Sequence, residues 1–350
     1  MNLPALTSTV AALLSPGKGL LAADESFPTI ARRFQALDIQ VTEENRRAYR
    51  ELLFTTPGLD EFISGAILFD ETIRQANAAG ERFPDLLARQ GIVPGIKVDH
   101  GAIALPGFFG EKVTQGIDGL RERLAGYRAL GARFTKWRAV IAIGPGLPTR
   151  ACLDANARAL ALFAALSQEA GLVPIVEPEV LMDGDHTFAR CEEVLAATLE
   201  TVFAALVDAR VALPAMLLKT SMVLSGRDCP QQADLDKVAA GTLSTLLQSV
   251  PAAVPGIVFL SGGQRDVAAT ARLNAICHLG GNPWKLSFSF GRALQDAAMR
   301  TWHGAARHAA AAQTALHHRA ACNGLAVQGM YTEQVEDERP AFASGAARDD

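Results

Sequence analysis

Residues 215–260 read AMLLKTSMVLSGRDCPQQADLDKVAAGTLSTLLQSVPAAVPGIVFL, and this stretch carries the pattern that decides the fold. It begins with the apolar run Ala215–Lys219 and ends with the apolar run Gly256–Leu260, and the segment Gln232–Ser249 between them has helical spacing. Nearly continuous apolar runs of this length are typical of parallel strands buried on both faces, and parallel neighbours need a long crossover, usually a helix. The stretch therefore predicts a β-α-β unit.

The same alternation continues outward along the chain in both directions. Further apolar runs of strand length are Gly19–Ala23, Ile63–Phe69, Gly95–Val98, Phe134–Val140, Leu172–Val176 and Leu286–Phe290. Helical spacing is found in Thr42–Leu53, Gly116–Leu130, Arg150–Ala170, Thr187–Ala209 and the Ala-rich stretch Ala293–His318. Strands that alternate with helices in this number predict an α/β fold, a single (β/α)₈ TIM barrel with parallel strands. An open doubly wound sheet is the alternative, although it usually has fewer strands and the sequence contains no nucleotide-binding fingerprint.

The sequence has no internal linker, so we expect one catalytic barrel domain over residues 1–330. After Gly329 the apolar periodicity stops, and Thr332–Asp350 is polar. Polar chain ends without apolar anchors are commonly mobile. Residues 331–350 are therefore predicted to form a flexible C-terminal tail.

Composition restricts the partners and the compartment. The net charge of -4 argues against nucleic acid as a partner, because nucleic-acid binding usually needs a basic face. No apolar stretch approaches the roughly 18 residues of a membrane span, and no signal peptide is visible. The five cysteines form no C-x-x-C pair, which favours reduced thiols. We expect a cytoplasmic protein that needs no disulfide and binds a small molecule.

Charged residues stand at the ends of several predicted strands. Lys136 and Arg138 lie two apart in one strand, and Glu177 and Glu179 lie two apart after the next. Side chains two apart in a strand share a face, and a buried charge is costly unless it is paired or used. If both pairs face the interior, two cations meet two anions at the C-terminal face, where barrel enzymes hold their active sites. The alternative is a set of salt bridges that closes the barrel mouth.

Lys219 ends the apolar run that opens the quoted stretch. Burial and a neighbouring cation favour the neutral form of a lysine, and a neutral lysine can attack a carbonyl carbon to form an imine. Lys136 is a suitable neighbouring cation. The commoner fate of a single lysine is to extend from the strand end into solvent.

Three groups of residues suit phosphate, and the first two end adjacent predicted strands. The first group, Ser261, Gly262 and Gly263, follows the seventh predicted strand, and its small residues let backbone N–H groups approach an anion closely. The second group, Gly291 and Arg292, follows the eighth predicted strand, and its arginine suits bidentate contact with phosphate. Barrels often bind phosphate at this position. The third group follows the first strand and includes a lysine from another strand; it comprises Asp24, Glu25, Ser26, Arg33 and Lys97. Two anion sites would suit a substrate phosphorylated at both ends, whereas a Gly-rich turn alone is more often a plain turn.

Two further patterns, an ATPase motif and possible metal ligands, lack the residues that their functions require. Residues 260–264, LSGGQ, spell the signature of transporter ATPases, but the sequence lacks the P-loop which that function requires. Only His100 and His186 among the seven histidines lie near predicted strand ends, and no pair has the spacing of a helical two-His site. Asp183-Gly184-Asp185-His186 is interpreted as a surface loop. We predict no metal and no cofactor.

In order along the chain, the motifs resemble those of class I fructose-bisphosphate aldolases. The resemblance extends from SPGKGLLAADES at Ser15 to CNGLAVQGMYT at Cys322. Between these lie TEENRRAYRELL, GAILFDET, GIKVDHG, TQGIDGL, FTKWRAV, IVEPEVLMDGDH, AMLLKTSMV, FLSGGQ and LSFSFGRALQ. So many segments in the same order make chance similarity an inadequate explanation.

The resemblance implies a role for each matching residue. Lys219 resembles the lysine that forms the imine, and Glu177 the carboxyl that shuttles protons as the carbinolamine forms and loses water. Glu179 and Lys136 resemble the electrostatic partners of that carboxyl. Asp24 resembles the residue that assists carbon–carbon cleavage at the C4 hydroxyl. The residues that match the C1-phosphate site are Ser261, Gly262 and Arg292, and those around the C6 phosphate are Lys97, Arg138, Ser26 and Arg33.

The sequence also departs from the family pattern. Thr220-Ser221 follows Lys219 where the family commonly has Pro-Asn, and Phe27-Pro28 replaces a Thr-Gly pair. Animal members end in a tyrosine that folds over the active site, whereas this chain ends in Asp350 and its last tyrosine is Tyr331.

The resemblance implies a metal-independent lyase of glycolysis or gluconeogenesis, which cleaves fructose 1,6-bisphosphate reversibly to dihydroxyacetone phosphate and glyceraldehyde 3-phosphate. It also implies a homo-oligomer, commonly a tetramer. One rival is another imine-forming barrel lyase with transaldolase-like chemistry. A second rival is a non-catalytic scaffold, but such a protein has no chemical reason to retain Lys136, Glu177 and Lys219 together.

Overall fold

Each predicted strand is present in the computed structural model, which describes residues 2–337. The barrel strands are β1 (Gly19–Ala23), β2 (Ile63–Leu68), β3 (Val93–Lys97), β6 (Phe134–Ile141), β7 (Val173–Val180), β8 (Leu217–Thr220), β9 (Gly256–Phe259) and β10 (Lys285–Phe290). They pair in parallel in chain order, and β10 pairs with β1 to close the barrel. The fold is the predicted α/β barrel.

Helices cover the outside of the barrel and connect its strands. The first seven are α1 (Leu3–Leu13), α2 (Phe27–Gln35), α3 (Glu43–Phe54), α4 (Asp70–Arg74), α5 (Phe83–Arg89), α6 (Leu120–Ala129) and α7 (Arg150–Glu169). The others are α8 (Phe188–Asp208), α9 (Leu235–Ser249), α10 (Asp266–Leu279), α11 (Arg292–Trp302), α12 (Ala309–Val327) and α13 (Glu333–Asp337). Short 3₁₀ turns lie at Leu59–Glu61, Leu213–Ala215 and Ala306–His308.

Two local features differ from the predicted elements. A small antiparallel hairpin, β4 (Ala102–Ala104) with β5 (Lys112–Thr114), follows β3. The Ala-rich stretch predicted as helical is two helices, because the chain turns at His303 and Gly304, both of which have positive φ values, 47° and 73°. A left-handed residue ends an α-helix by breaking its hydrogen-bond pattern.

The lower half of the barrel interior is apolar and is closed by α1. Inward-facing side chains of the strands, among them Leu20, Phe134 and Leu217, form one buried cluster with Leu6 and Val10 of α1. The outward-facing side chains of the same strands belong to a second, larger cluster between the strands and the surrounding helices. Successive side chains of a strand alternate between its two faces, and both faces are buried here. The strands are therefore continuous apolar runs in the sequence.

Residues after Gly329 pack partly on the barrel. Tyr331 is buried, and its hydroxyl donates a hydrogen bond to the Glu336 carboxylate at 2.9 Å. Arg319 of α12 holds the same carboxylate with both terminal nitrogens. The flexible tail predicted for 331–350 therefore begins with a docked segment, and its remaining residues, 338–350, lie outside the described part of the chain. Within residues 2–337, no helix has both the length and the hydropathy needed to cross a membrane.

Candidate active site

A layer of charged side chains lies directly above the apolar layer of the barrel. Lys136 comes two residues after the inward-facing Phe134, and Lys219 comes two residues after the inward-facing Leu217. Because side chains two apart in a strand share a face, both lysines point into the barrel at its C-terminal end. Glu177 lies there by the same spacing on β7. The register of the strands therefore brings charges together that are far apart in sequence.

Glu177 bridges the two lysines. Its Oε1 is 3.0 Å from Nζ of Lys219, and its Oε2 is 3.1 Å from Nζ of Lys136. Nζ of Lys136 is also 2.7 Å from Oδ2 of Asp24, at the end of β1. Lys219 is only 4% exposed, so it does not extend into solvent, as a single lysine at a strand end commonly does.

The charges of this cluster follow from burial and contact. Burial raises the pKa of Glu177 and of Asp24, but the nearby Lys136 and Lys219 outweigh it and hold both pKa values below their ordinary range. Burial alone would lower the pKa of Lys136, yet Asp24 and Glu177 raise it well above its ordinary value. At neutral pH both carboxyls are therefore ionised and Lys136 is a cation.

A second ion pair lies nearer the rim. Nε of Arg138 is 2.5 Å from Oε2 of Glu179, and the backbone N–H of Arg138 donates to Oδ2 of Asp99 at 3.2 Å. Burial opposes the charge of Arg138, but Glu179 outweighs it and raises the pKa of the guanidinium. The two predicted cations and two predicted anions thus meet inside the barrel. The barrel mouth stays open above them, since these residues line a cavity of about 1770 Å³.

One side of the cavity carries further cations, each with a carboxylate partner. Nζ of Lys97 is 2.7 Å from Oδ1 of Asp99. Arg33 pairs with Glu25 and, at 3.0 Å, with Asp296. Ser26 precedes α2, and its hydroxyl is 3.2 Å from that of Thr29. A phosphate bound here would compete with the carboxylates that hold these cations.

Another part of the cavity wall is formed by the ends of β9 and β10. Gly262 and Gly263 make a turn after Ser261 with φ values of 54° and 90°, in the left-handed region that favours glycine. Gly291 immediately precedes α11, so the first turn of that helix opens on the cavity at Arg292. Among residues 2–337, no ion pair or hydrogen bond involves the Arg292 side chain. This part of the wall therefore offers an uncompensated cation beside a backbone turn, a combination suited to an anion.

Every residue predicted for the site lines this one cavity. They are Asp24, Ser26, Arg33, Lys97, Lys136, Arg138, Glu177, Glu179, Lys219, Ser261, Gly262, Gly263, Gly291 and Arg292. The cavity is also lined by residues that the sequence pattern did not single out, and Ser289 and Arg227 are among them. Ser289 lies near the end of β10, two residues before Gly291, and Arg227 follows a glycine in the loop after β8. For both residues, their position near the C-terminal end of a strand was the signal in the sequence that could have identified them.

Groups able to bind a metal lie elsewhere. Within residues 2–337, one group of three side chains brings possible metal-ligand atoms close together; it comprises His318, Cys322 and Glu336 and does not line the cavity. The Glu336 carboxylate already accepts hydrogen bonds from Arg319 and Tyr331. A cation at this point would face the Arg319 guanidinium, which disfavours metal binding.

Comparisons with known proteins identify relatives over nearly the whole chain. The sequence model of the family described as fructose-bisphosphate aldolase class-I matches residues 5–345. The "Probable fructose-bisphosphate aldolase class 1" of Xanthomonas campestris pv. campestris is 55% identical over 332 residues, covering 95% of this chain and 99% of that protein. The fructose-bisphosphate aldolase of Dictyostelium discoideum is 50% identical over 330 residues, covering 93% and 92% of the two chains.

A solved structure agrees as well. The fructose-bisphosphate aldolase of Plasmodium falciparum, crystallised with TRAP and a small-molecule inhibitor, superposes with a TM-score of 0.93 at 46% identity, covering 94% of this chain and 96% of that one. The family match, the identity over nearly the full length and the three-dimensional fold all indicate the same family. This chain belongs to the class I fructose-bisphosphate aldolase family.

Proposed function

We propose that this chain cleaves fructose 1,6-bisphosphate reversibly to dihydroxyacetone phosphate and glyceraldehyde 3-phosphate through an imine on Lys219. The observation that carries the proposal is the Glu177 carboxylate, which contacts Nζ of Lys219 with one oxygen and Nζ of Lys136 with the other. A nucleophilic amine, a proton acceptor and a fixed cation at the bottom of one cavity are the groups that imine formation needs.

The first half of the reaction makes the imine. Glu177 accepts a proton from Lys219, and the neutral amine attacks the ketone carbon, forming a C–N bond. A proton then moves from the attacking nitrogen to the former carbonyl oxygen and gives the carbinolamine. Glu177 then returns its proton to the resulting hydroxyl, which leaves as water. The product is a protonated imine, whose positive charge serves as the electron sink for cleavage.

The second half breaks the carbon–carbon bond. Asp24 accepts the proton of the C4 hydroxyl, the C3–C4 electron pair moves into the protonated imine, and glyceraldehyde 3-phosphate leaves. Transfer of the proton held by Asp24 to C3 of the remaining enamine, followed by hydrolysis of the imine, releases dihydroxyacetone phosphate and restores both Lys219 and the Asp24 carboxylate. Lys136 stays protonated throughout because Asp24 and Glu177 raise its pKa, and Glu179 holds Arg138 at the rim.

The two parts of the cavity wall suit the two phosphates. We assign the C1 phosphate to Ser261, Gly262, Gly263, Gly291 and Arg292, and the C6 phosphate to Ser26, Arg33, Lys97 and Arg138. The first set supplies a backbone turn and an arginine that has no ion-pair partner within residues 2–337, and the second set supplies three cations. Two separate anion sites in the cavity that holds the nucleophile favour a bisphosphate over a monophosphate.

The test is to trap the imine. The enzyme is reduced with borohydride in the presence of dihydroxyacetone phosphate, and its peptides are mapped by mass spectrometry. We expect an adduct at Lys219 and none in Lys219→Met, which should keep the fold by circular dichroism and lose turnover. Lys237→Met, at an exposed lysine on α9, is the matched control and should react like the parent enzyme. An adduct at another lysine, or transfer of the three-carbon unit to an aldose in place of cleavage, would contradict the proposal.

We further propose that the protein acts in the cytoplasm as a homo-oligomer, specifically a tetramer. The five cysteines are free thiols and four of them are buried, which suits a reducing compartment. The tetramer is proposed from the family resemblance. Sedimentation equilibrium of the purified protein measures its assembly, and a monomer at micromolar concentration would refute it.

A further inference from the structure

Arg227 is held at the rim of the cavity by a rigid backbone. It lies in the loop after β8, which is bound to the loop after β7 by three backbone hydrogen bonds. Gly226 N–H donates to His186 O at 2.8 Å, Arg227 N–H to Met182 O at 2.7 Å, and Asp228 N–H to Gly184 O at 2.9 Å. A Cβ on Gly226 would lie 2.4 Å from Gly184 O, so only glycine allows this approach.

The guanidinium of Arg227 reaches the turn after β9. Its Nη2 lies 2.9 Å from the position that a Cβ on Gly263 would occupy, and Nη2 of Arg292 lies 3.2 Å from the same position. The two arginines, one from the loop after β8 and the other from the end of β10, therefore converge on one glycine. The missing side chain of Gly263 leaves the space between them open.

Little negative charge balances these two cations. Across the described range 2–337, the ion-pair partner of Arg227 is Asp183 at 3.5 Å, whose side chain is 68% exposed, and Arg292 has none. Like charges at this separation repel each other, and an exposed pair such as Arg227–Asp183 is weak. A dianionic phosphate bound between the guanidinium groups would remove the repulsion, since each planar fork can bind phosphate oxygens.

We propose that Arg227 is a second arginine ligand of the phosphate that binds at the Ser261–Gly263 turn. Arg227 thereby favours ketones that carry a phosphate next to the carbonyl carbon over unphosphorylated ketones. The inference rests on the proposed function, because it takes the ketone that reacts with Lys219 as the ligand. It adds to the predicted C1-phosphate residues a cation from a third loop.

The experiment compares two ketones with and without the phosphate. Initial rates of borohydride trapping at Lys219 are measured with subsaturating dihydroxyacetone phosphate and with dihydroxyacetone, for the parent enzyme, Arg227→Gln, Arg227→Lys and Arg150→Gln. Arg150 is the matched control, an exposed arginine paired with Asp154 at 2.9 Å outside the cavity lining. Trapping with dihydroxyacetone verifies that Lys219 and its neighbours remain intact in each variant.

We expect Arg227→Gln to trap dihydroxyacetone phosphate about tenfold more slowly, because the variant loses one charge-assisted contact to an anion at a partly exposed site. Its rate with dihydroxyacetone should stay unchanged, Arg227→Lys should recover part of the loss, and Arg150→Gln should match the parent. If the ratio of the trapping rates for the two ketones is the same in Arg227→Gln as in the parent enzyme, including the case in which both rates fall equally, this inference is wrong and the proposed function stands. If the parent enzyme traps neither ketone at Lys219, both fail together.

Discussion

Lys136 sets the charge of its neighbours at the scale of a single residue. It contacts Asp24 and Glu177 together, and its cation is the largest single influence that lowers the pKa of each carboxyl against the effect of burial. The proposed mechanism needs both carboxyls ionised in the resting enzyme, because each must accept a proton. We therefore infer that Lys136 keeps two proton acceptors charged in a buried site.

Replacing Lys136 with methionine tests this role. The substitution removes the cation and keeps most of the side-chain length, so the pKa of Asp24 and of Glu177 should rise. We expect kcat/KM to fall by roughly 100-fold or more, as when one electrostatic contact to a transition state is lost. The acid limb of the profile of kcat/KM against pH should move to higher pH, while Lys237→Met should leave it in place. An acid limb that stays at the parental pH in Lys136→Met would refute the role.

At the scale of strands, one aromatic ring determines the residue opposite it. Phe134 of β6 fills the interior beside β3, and a Cβ on Gly95 would lie 2.2 Å from its Cζ. The aromatic ring and the missing side chain are complementary, and the ring sits in the layer just below Lys136. Packing beneath the site thus depends on a glycine that the sequence shows only as the start of an apolar run.

We expect Gly95→Ala to destabilise the protein by about 3 kcal/mol, because overpacking a close-packed interior forces a large ring to move. Phe134→Leu in the same chain should recover part of that loss, so the two substitutions should be non-additive. Gly126→Ala, on α6 with nothing near the added Cβ, is the control and should be neutral or slightly stabilising. Urea unfolding is measured for Gly95→Ala, for Phe134→Leu alone, for the double variant and for Gly126→Ala. Additive costs in the double variant would show that the ring and the glycine are not coupled.

For the whole molecule, the buried charge layer links stability to pH. Asp24 and Glu177 have ordinary pKa values of 3.8 and 4.5, and both are lowered in the folded protein. A carboxyl whose pKa falls on folding stabilises the protein fully above its unfolded pKa. That contribution is lost as the pH falls through the folded pKa, because the unfolded chain then binds the proton more readily.

The free energy of unfolding should therefore fall with pH below about 4.5, and its slope reflects the extra protons that the unfolded chain binds. Asp24→Asn should reduce that slope by up to about 1.4 kcal/mol per pH unit, the value for one proton. Glu177→Gln should act in the same direction. Urea midpoints measured from pH 3 to 7 give the slope, and a parental slope in both variants would contradict the assignment.

The sequence by itself determined the strands, their order and the faces of their charged residues, because alternation and apolar runs are properties of neighbouring residues. Lys136 and Arg138, like Glu177 and Glu179, were predicted to share a face from their spacing alone, and all predicted site residues line one cavity. The tertiary structure decided which atoms meet: Glu177 between two lysines, Arg227 beside Gly263, and α1 closing the barrel. It also split the Ala-rich stretch at His303. Such contacts join residues far apart in the chain, so they depend on register and packing that no local pattern specifies.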